Sequence, residues 1–558
     1  MYPKNIALAY FSGGKYHKIT YQKLNQQRKI LVSNLHAWNW QKQEKVAVML
    51  SNGPEWIVSD LALASLGLIL VPLHLTYNSL QLEQILSHAN VDYLVIQEEY
   101  FNKFKDIWLK FSFKNIVVVG DCKELNQVIK LWPKMPVKNS YDVLEKIVVD
   151  DNDLHTIIYT SGTTGDPKGV MLSHKNLITN VMSAKAVIDI TNRDRFFSFM
   201  PLSHAFERCA GYYAPIFSGA SIYFARNSKT IVEDIQLAQP TVLNAVPRIF
   251  EKIYDKIFDQ VRAGGDFKKH LFFQALNLSK YKKQRKLKFK EKISLFFLDK
   301  LVIKKLRKIL GGNLRMAISG GASLNPAIAK FFANIGIQII EGYGLTETSP
   351  IIAVNQLKNY KFGTVGKVLS CNQLKIGEDK EILVKGDNLM KGYYNNKEQS
   401  ARAIDNDAWF HTGDLGFLDA DGFLTIIGRA KDMIVLSTGK NIFPEPIENT
   451  LNESKLISQS FVYGDKQKNI AALIVPDFQE LEIWCNEHDL NYSFPDILHN
   501  TKVLELYSDV LSEKLKDWSH LERVNNFKLL EQEFSQENGL LTPTLKLRRA
   551  RIKEKFIT

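Results

Sequence analysis

The chain has 558 residues, which is too long for a single hydrophobic core, so we expect two or more domains. Apolar residues make up 45% of it and charged residues 23%, a composition typical of a soluble globular protein. The four cysteines are far apart and form no CxxC pair, which argues against a disulfide framework or a zinc site and indicates a reducing compartment. They are Cys122, Cys209, Cys371 and Cys485.

The N-terminal residues 1–21 contain no basic segment followed by an apolar run and no small-residue cleavage site, so no signal peptide is expected. The longest apolar run, Leu61–Leu73, has about 13 residues where a spanning helix needs roughly 20. It also contains Gly67 and Pro72. This run predicts a core helix followed by a buried strand, and we expect a cytoplasmic protein without a transmembrane segment.

Short apolar segments alternate with helical segments along most of the chain. This alternation predicts an α/β fold with mostly parallel sheets flanked by helices, in which ligands bind beyond the C-terminal ends of the strands. Three strand ends run into glycine-rich turns that are placed to converge on one nucleotide, at 159–165, 318–323 and 341–350. Strands are predicted at 45–50, 92–97, 115–120, 155–160, 221–225, 241–247, 314–321 and 337–344, and helices at 54–67 and 80–90.

The first of these turns, Thr160–Lys168, reads TSGTTGDPK. Its glycines let backbone N–H groups turn inward, its hydroxyls add donors and its lysine supplies positive charge, which together suit a phosphate. It is not the common P-loop, because Gly165 is followed by Asp166 and Pro167 before the lysine.

The net charge of +13 is concentrated in residues 252–308, which hold 18 Lys/Arg against 5 Asp/Glu. The densest part is Lys280–Lys292, and apolar residues follow it at helical spacing, so a basic amphipathic helix is predicted. Those apolar residues are Leu295, Leu298, Val302, Leu306 and Ile309. The segment is either a solvated helical insertion or a contact surface for anionic lipid, with this apolar face inserted shallowly, or for an acidic protein. No DNA- or RNA-binding motif accompanies the charge, so no nucleic acid is expected.

Five motifs in order carry a family resemblance. They are YTSGTTGDPKG from Tyr159, PLSHAFER from Pro201, EGYGLTETSP from Glu341, the run from His411 to Glu448, and LTPTLKLRR from Leu541. Together they resemble the AMP-forming acyl-activating family, which includes acyl-CoA synthetases, peptide-synthetase adenylation domains and luciferases. The likeness runs from about residue 19 to about 551. The segment Ala245–Ile257 and the basic insertion after it are most similar to the long-chain fatty acid members.

The resemblance implies an AMP-binding N-terminal domain, 1–430, with the basic helical insertion at about 252–308. It also implies a small, mobile α+β C-terminal domain, 431–558. In the implied ATP site the Thr160–Lys168 loop holds the β- and γ-phosphates, and Glu347 holds Mg²⁺. Tyr343 lies against adenine, Thr346 binds the α-phosphate, Asp414 accepts the ribose hydroxyls and Arg429 reaches ribose and phosphate. The full implied ATP-binding set is Thr160, Ser161, Gly162, Thr163, Thr164, Gly165, Lys168, Gly321, Tyr343, Gly344, Thr346, Asp414 and Arg429.

The resemblance also implies the groups that act on the acyl chain. Lys546 contacts the carboxylate and the α-phosphate during adenylation, where a positive charge stabilises both. His204 lies at the mouth of the acyl pocket, and Phe250 is the expected gate of the acyl tunnel. Lys431 is the expected hinge between the two half-reactions, and Gly439 is expected to line the thiol channel, where a side chain would obstruct pantetheine. Thr346 and Glu347 complete the implied catalytic set.

The implied activity is ATP-dependent conversion of a fatty acid to an acyl-adenylate with release of pyrophosphate, followed by transfer to coenzyme A. The alternatives are transfer to acyl carrier protein, a luciferase-like oxidase, or an inactive binding protein of this fold. The joint presence of Lys168, Glu347, Asp414, Arg429 and Lys546 argues against the last. The expected ligands are ATP, Mg²⁺ and coenzyme A. The expected location is the cytoplasm, and the basic segment suggests peripheral contact with the inner membrane surface as an alternative.

Overall fold

The computed structural model describes residues 2–120, 129–132, 147–160, 167–227, 229–542 and 546–557. The chain divides into two units. The N-terminal unit consists of Met1–Leu374, Val384–Phe410 and Ala420–Leu424. The C-terminal unit consists of Lys375–Leu383, His411–Asp419 and Thr425–Thr558. The domain boundary after residue 430 stays a prediction.

The N-terminal unit contains a nine-stranded sheet in the order β16-β15-β14-β13-β12-β10-β11-β1-β2. Its central strands are parallel, and antiparallel strands cover both edges. Strands are numbered along the chain. Those of this sheet are β1 (Ile6–Ser12), β2 (Lys15–Thr20), β10 (Arg195–Ser198), β11 (Ser221–Phe224), β12 (Val242–Ala245), β13 (Met316–Ser319), β14 (Gln338–Gly344), β15 (Ile351–Val354) and β16 (Lys367–Val368).

A seven-stranded sheet follows the order β7-β6-β5-β3-β4-β8-β9 and is parallel except for the antiparallel pair β8–β9. The interior strands are runs of buried β-branched and apolar residues, as expected where both faces are covered. The strands are β3 (Lys45–Met49), β4 (Ile69–Pro72), β5 (Tyr93–Gln97), β6 (Asn115–Val119), β7 (Ile129–Trp132), β8 (Leu154–Thr160) and β9 (Lys168–Ser173).

Helices accompany both sheets, and the predicted strands and helices listed above are confirmed. The apolar run at 61–73 forms the end of helix α2 and then buried strand β4, with Gly67 at φ 65° ending the helix. The helices of this unit are α1 (Tyr21–Ala37), α2 (Pro54–Leu66), α3 (Ser79–Ala89), α4 (Glu98–Lys103), α5 (Lys105–Trp108), α6 (His174–Val187), α7 (Ala214–Ser218), α8 (Ile231–Ala238), α9 (Pro247–Arg262), α10 (Gly265–Gln284), α11 (Phe289–Leu298), α12 (Lys304–Ile309), α13 (Pro326–Asn334) and α14 (Lys397–Ala403), with π-helices at Glu207–Tyr213 and Asp299–Ile303. In the part of the chain that the structure describes, no helix is both long enough and apolar enough to cross a bilayer.

The basic segment is helical, as predicted, but the apolar face predicted from residues 295–309 packs against the protein core. α11, the π-helix at 299–303 and α12 follow one another, and Leu298 and Leu306 are buried in the hydrophobic core of the N-terminal unit. Leu295, Val302 and Ile309 are partly buried and pack against the same core. The expectation that this face inserts into lipid is therefore wrong, because the fold already buries it.

A four-stranded sheet has the order β17-β18-β19-β20. The C-terminal unit adds a three-stranded sheet, β23-β24-β25, and the short hairpin β21-β22. The core of this unit is formed by residues such as Ile447, Ile474 and Tyr507. The remaining elements are β17 (Asn372–Ile376), β18 (Glu381–Gly386), β19 (Phe410–Leu418), β20 (Leu424–Arg429), β21 (Ile434–Val435), β22 (Asn441–Ile442), β23 (Ile457–Tyr463), β24 (Ala471–Pro476), β25 (Asn526–Leu529), α15 (Pro444–Leu451), α16 (Phe478–Glu487), α17 (Thr501–Lys514) and α18 (Arg549–Phe556). The predicted fold class is confirmed: mostly parallel sheets with helices in a large N-terminal part, and a smaller C-terminal part that is α+β.

Candidate active site

The C-terminal ends of parallel strands β12, β13 and β14 lie side by side in the N-terminal unit. Ala245 pairs with Ser319, and Ser319 pairs with Glu341. The glycine-rich turns that follow β13 and β14 therefore emerge at one edge of the sheet, where open α/β sheets bind ligands. This edge carries five of the predicted site residues, namely Gly321, Tyr343, Gly344, Thr346 and Glu347.

Gly344 has a structural reason to be glycine. A Cβ added there would lie 1.7 Å from the carbonyl oxygen of Pro350, so no other residue fits without moving the backbone. The Leu345 N–H donates to that same oxygen at 3.0 Å, which closes the turn that presents Thr346 and Glu347. Gly321, at φ 88°, lies in the left-handed region that glycine favours.

Glu347, Tyr393 and Lys168 come together in this unit. The Tyr393 hydroxyl donates to Glu347 Oε1 at 2.9 Å, and the Lys168 ammonium lies 5.5 Å from the centre of the Tyr393 ring. Lys168 opens β9 opposite Thr160, the last residue of β8, so the two ends of the predicted phosphate loop are paired. The fold thus brings a cation and a carboxylate to one tyrosine. Tyr393 and Glu347 are 46 residues apart along the chain.

Ser161, Gly162, Thr163, Thr164 and Gly165 lie outside the described residues. Tyr393 was missed by the sequence reasoning. It belongs to no chemical motif, and the one local signal is an aromatic pair that follows Gly392, a glycine at φ 129°.

The donor set at Glu347 suits one kind of metal. Across the described ranges no three His, Cys, Asp or Glu side chains cluster as a metal site would require. Glu347 is partly exposed and has one oxygen fixed by Tyr393. A single fixed carboxylate matches Mg²⁺, which commonly takes one or two protein carboxylates and completes its shell with phosphate oxygens and water.

His204 is partly exposed and lies near the turn that follows β13. Its imidazole Nδ1 accepts the Phe206 N–H at 3.3 Å, which fixes the ring against its own turn. The Phe206 ring lies against Gly320, where an added Cβ would be 3.1 Å from the ring. The PLSHAFER motif and the glycine turn after β13 are therefore in contact, which agrees with a shared site.

Phe250 is fully buried near the start of α9 and contacts the Phe332 ring of α13, with ring centres 5.9 Å apart. It belongs to the hydrophobic core of the unit. Its role as a tunnel gate stays a prediction.

A buried ionic network holds the PLSHAFER motif in place. Arg208 Nη2 donates to Asp60 Oδ1 of α2 at 2.5 Å, and Nη1 donates to Thr156 Oγ1 of β8 at 2.9 Å. The Tyr212 hydroxyl donates to Asp60 Oδ2 at 2.9 Å, and His155 lies beside the pair. Burial alone would raise the pKa of Asp60, but the adjacent Arg208, His155 and Tyr212 hold it well below its usual range.

The network joins the π-helix at 207–213 to β8, the strand that leads into the predicted phosphate loop. This network is not among the sequence-based predictions. A sequence signal did exist, since Asp60 is an acidic residue inside an otherwise apolar helix segment.

Glu207, next to this arginine, is also fully buried, and no charged partner faces it among the residues that the structure describes. Within the described residues neither carboxyl oxygen makes a hydrogen bond of normal geometry, although Ser198 and Asn244 lie beside it. Its carboxyl group folds back over Gly211, where an added Cβ would lie 2.4 Å from the carboxyl carbon. Burial raises the pKa of Glu207 to about 8, so the group is largely protonated at neutral pH.

In the C-terminal unit Asp414 and Arg429 form an ion pair, with Arg429 Nε 2.8 Å from Asp414 Oδ1. They lie on strands β19 and β20, which are neighbours in the four-stranded sheet. Asp414 is buried and Arg429 is about one-third exposed, so the arginine fixes the carboxylate from the more accessible side. The two residues predicted to contact the ribose are thus brought together.

Lys431 is exposed in the 3₁₀ turn Ala430–Asp432, directly after β20. Gly439 is exposed in the turn between β21 and β22 at φ 80°, and an added Cβ would meet nothing within 4 Å. The positive φ is sufficient to favour glycine at this position.

Lys546 is exposed, and its backbone is paired with that of Thr542. Its backbone N–H donates to Thr542 Oγ1 at 3.0 Å, and its carbonyl accepts the Thr542 N–H at 2.8 Å. The chain after it is held by Arg549, which makes two hydrogen bonds to Glu448 of α15, at 2.9 and 2.5 Å. Arg549 Nε also lies 3.8 Å from Asp432, next to the predicted hinge. No local sequence pattern pairs these residues, which are about 100 positions apart.

The family comparison agrees with this geometry. The profile described as AMP-binding enzyme matches residues 1–394, and the profile described as AMP-binding enzyme C-terminal domain matches residues 431–521. The chain belongs to the AMP-binding enzyme family.

Similar AMP-binding enzymes include proteins named for fatty acid activation. The Mycobacterium tuberculosis long-chain-fatty-acid–CoA ligase FadD15 is 31% identical over 92% of this chain and 87% of its own length. The peroxisomal long chain acyl-CoA synthetase 7 of Arabidopsis thaliana is 31% identical over 97% of this chain and 81% of its own.

Among solved structures, the A domain of the Segniliparus rugosus carboxylic acid reductase, in complex with AMP and a co-purified carboxylic acid, has a TM-score of 0.76 at 21% identity. The alignment covers 99% of this chain and 90% of that one. The anthranilate CoA ligase AuaEII, in complex with anthranoyl-AMP, has a TM-score of 0.72 at 19% identity and covers 99% and 94%. At these identities the likeness establishes the adenylate-forming fold of this AMP-binding enzyme.

Proposed function

We propose that this AMP-binding enzyme is an ATP-dependent ligase that joins a long-chain fatty acid to coenzyme A. Relatives at about one-third identity over nearly the whole chain bear the names of such ligases. The structural observation that carries the proposal is that Lys168 and Glu347 both contact Tyr393. A cation suited to phosphates and a carboxylate suited to a metal ion, both beside one tyrosine near the edge where such sheets bind ligands, support the proposal.

In the first half-reaction a carboxylate oxygen of the fatty acid attacks the α-phosphorus of ATP. The acyl–O–P bond forms, the bond to the bridging oxygen breaks, and pyrophosphate leaves. Lys168 and the loop at 160–168 bind the leaving phosphates, Thr346 binds the α-phosphate, and Tyr343 and Gly344 border the adenine. Glu347 would hold Mg²⁺, which when bound would supply positive charge that offsets the charge of the phosphates.

Lys546 is proposed to stabilise the negative charge that develops between the carboxylate and the α-phosphate. Its loop is held to the C-terminal unit through Arg549 and Glu448, so the lysine is presented by a supported segment rather than by a free tail. Asp414, oriented by Arg429, is proposed to accept the ribose hydroxyls.

In the second half-reaction a thiol sulfur attacks the acyl carbonyl and AMP leaves. We propose Lys431 as the hinge that allows the change between half-reactions, and Gly439 as part of the thiol channel. His204 is proposed to border the acyl pocket and Phe250 to gate it. Coenzyme A is the proposed acceptor.

The basic segment 252–308 is proposed as a contact surface for an anionic partner. Two partners suit its charge, namely the anionic inner surface of a membrane, which would make the enzyme peripheral, and an acidic acyl carrier protein. The identity of the thiol acceptor does not depend on this surface, because coenzyme A is a small molecule and does not require a docking surface for a protein.

The test is pyrophosphate release with purified protein over a series of C2 to C18 carboxylic acids, each with and without coenzyme A, with mass spectrometry of the products. We expect release that depends on a long-chain acid and a fatty acyl-CoA product only when coenzyme A is present. Glu347→Gln, which keeps the size of the side chain but removes the charge, should abolish release. Absence of acid-dependent release with every acid would contradict the proposal, and a thioester formed on acyl carrier protein but not on coenzyme A would reassign the acceptor.

A further inference from the structure

An exposed apolar face runs along the basic helical segment of the N-terminal unit. Its side chains recur every three or four residues, with one adjacent pair, so they project on one side of α11 and the π-helix after it. Their exposed fractions range from 44% to 77%. We call these residues the aromatic stripe: Phe289, Ile293, Phe296, Phe297 and Leu301.

The opposite side of the same helical segment is already committed to the core. Leu298, Ile303 and Leu306 are buried there against the sheet and its helices. The aromatic stripe is therefore not the core-facing side of an amphipathic helix. Two faces of this helix are apolar, and folding of the chain covers one of them.

Basic side chains border the stripe. Lys290, Lys292 and Lys300 are exposed, and the Lys300 ammonium lies 4.4 Å from the centre of the Phe296 ring. Arg285, in contrast, is paired with Glu291 through two hydrogen bonds at 2.9 and 2.7 Å, so it supports the start of α11. The stripe and its lysines together combine exposed apolar area with exposed positive charge.

We propose that the aromatic stripe inserts shallowly into an anionic lipid surface, with the bordering lysines at the headgroups. An interfacial helix has this chemistry: aromatic and aliphatic side chains on the lipid side and Lys or Arg beside them. The lysines alone would suit an acidic protein equally well. Three phenylalanines of the stripe have more than half of their surface exposed, however, and an acidic protein surface offers them no apolar contact. The combination therefore favours lipid.

The inference gives a physical role to a surface that the ligase chemistry does not use. The inference rests on the proposed function in one respect: a fatty acid substrate partitions into membranes, so the enzyme would bind its substrate there. Its test uses no substrate, so failure of lipid binding would leave the ligase proposal intact, and failure of the ligase assay would leave lipid binding intact.

The experiment is flotation of the full-length protein with vesicles of phosphatidylglycerol or of phosphatidylcholine, at low salt and at 0.5 M salt. The apolar variant is Phe296→Ser with Phe297→Ser, and its control is Leu80→Ser with Leu109→Ser, which removes similarly exposed side chains elsewhere on the same unit. The charge variant changes Lys290, Lys292 and Lys300 to Gln. Its control makes the same change at Lys4, Lys15 and Lys18, which are exposed near the N-terminus.

We expect the wild-type protein to float with phosphatidylglycerol vesicles at low salt and not with phosphatidylcholine vesicles, and high salt to weaken the binding because it screens the lysines. Both stripe variants should bind at least tenfold more weakly, while both controls bind as the wild type does. Circular dichroism of each variant checks that it is folded.

Three results would overturn the inference. The first is wild-type protein that does not float with anionic vesicles. The second is an apolar variant that binds as tightly as the wild type, since the contact would then be purely electrostatic. The third is a wild-type dimer in solution that becomes a monomer when Phe296 and Phe297 are changed, since a second copy of the chain would then cover the stripe.

Discussion

Replacement of Glu207 by glutamine should change how stability depends on pH. In the folded protein this carboxyl group is fully buried and has no charged partner in the described part of the chain, and burial raises its pKa from the ordinary value of 4.5 to about 8. Between these two values the folded state keeps the proton and the unfolded state has lost it. The unfolded state therefore binds fewer protons, and the free energy of unfolding falls as the pH rises.

The slope is about 1.4 kcal/mol per pH unit for one group, so wild-type protein should lose about 3 kcal/mol between pH 5.5 and pH 7.5 through Glu207 alone. Glu207→Gln has a neutral side chain of the same shape and lacks this loss. Glu341, whose pKa is also raised by burial to about 8, contributes to both proteins and cancels in the difference.

The assay is urea unfolding of both proteins at pH 5.5, 6.5 and 7.5, followed by circular dichroism. The account predicts that the difference in free energy of unfolding moves steadily in favour of the variant as the pH rises. Parallel profiles would refute the reasoning, because they would mean that Glu207 is ionised in the folded protein. An infrared carbonyl band of a protonated carboxyl group, present at pH 6.5 and absent from the variant, would be independent support.

Other variants test the remaining parts of the account. Arg208→Met should destabilise the protein by about 3–5 kcal/mol in urea unfolding, because it leaves a buried carboxylate without its cation; a cost under about 1 kcal/mol would contradict this. Tyr393→Phe removes the donor to Glu347, so the Mg²⁺ concentration for half-maximal pyrophosphate release should rise about tenfold or more, whereas an unchanged value would separate the tyrosine from the metal site. Lys546→Ala should slow adenylation by about 100-fold or more while thioester formation from supplied acyl-adenylate survives; equal loss of both would argue against its role. Lys431→Pro should do the reverse, since it stiffens the proposed hinge, and wild-type rates in both half-reactions would show that the hinge lies elsewhere.

The sequence was sufficient for the elements whose signal is local. Runs such as those at 45–50 and 115–120 are buried strands because β-branched and apolar residues occur there without interruption. The length of the run at 61–73 and its glycine predicted a helix followed by a strand, and Gly67 does end the helix. The turn residues at 341–350 likewise predicted a ligand edge, and the register of β12, β13 and β14 brings the strand ends together.

What the sequence did not reveal depends on contacts between distant positions. Asp60 and Arg208 are 148 residues apart, and neither residue type predicts its partner. Tyr393 matters because its hydroxyl donates a hydrogen bond to Glu347. No sequence pattern predicts that contact.

The basic helix shows a different limit. Its sequence has two apolar faces, and periodicity alone pointed to the leucine face as the free one. The fold buries that face and exposes the aromatic stripe, because the choice depends on which side fits the neighbouring helices.

The central claim is that a fatty acid carboxylate attacks the α-phosphorus of ATP and that a thiol then displaces AMP. The most direct measurement uses a long-chain fatty acid labelled with ¹⁸O in both carboxylate oxygens, incubated with the wild-type enzyme, ATP, Mg²⁺ and coenzyme A, followed by mass spectrometry of the nucleotide. The account predicts AMP that carries one ¹⁸O atom, because the oxygen that bridged the acyl group and phosphorus stays with AMP when sulfur attacks the carbonyl. Formation of acyl-CoA with unlabelled AMP, or of ADP and ¹⁸O-labelled phosphate, would contradict it.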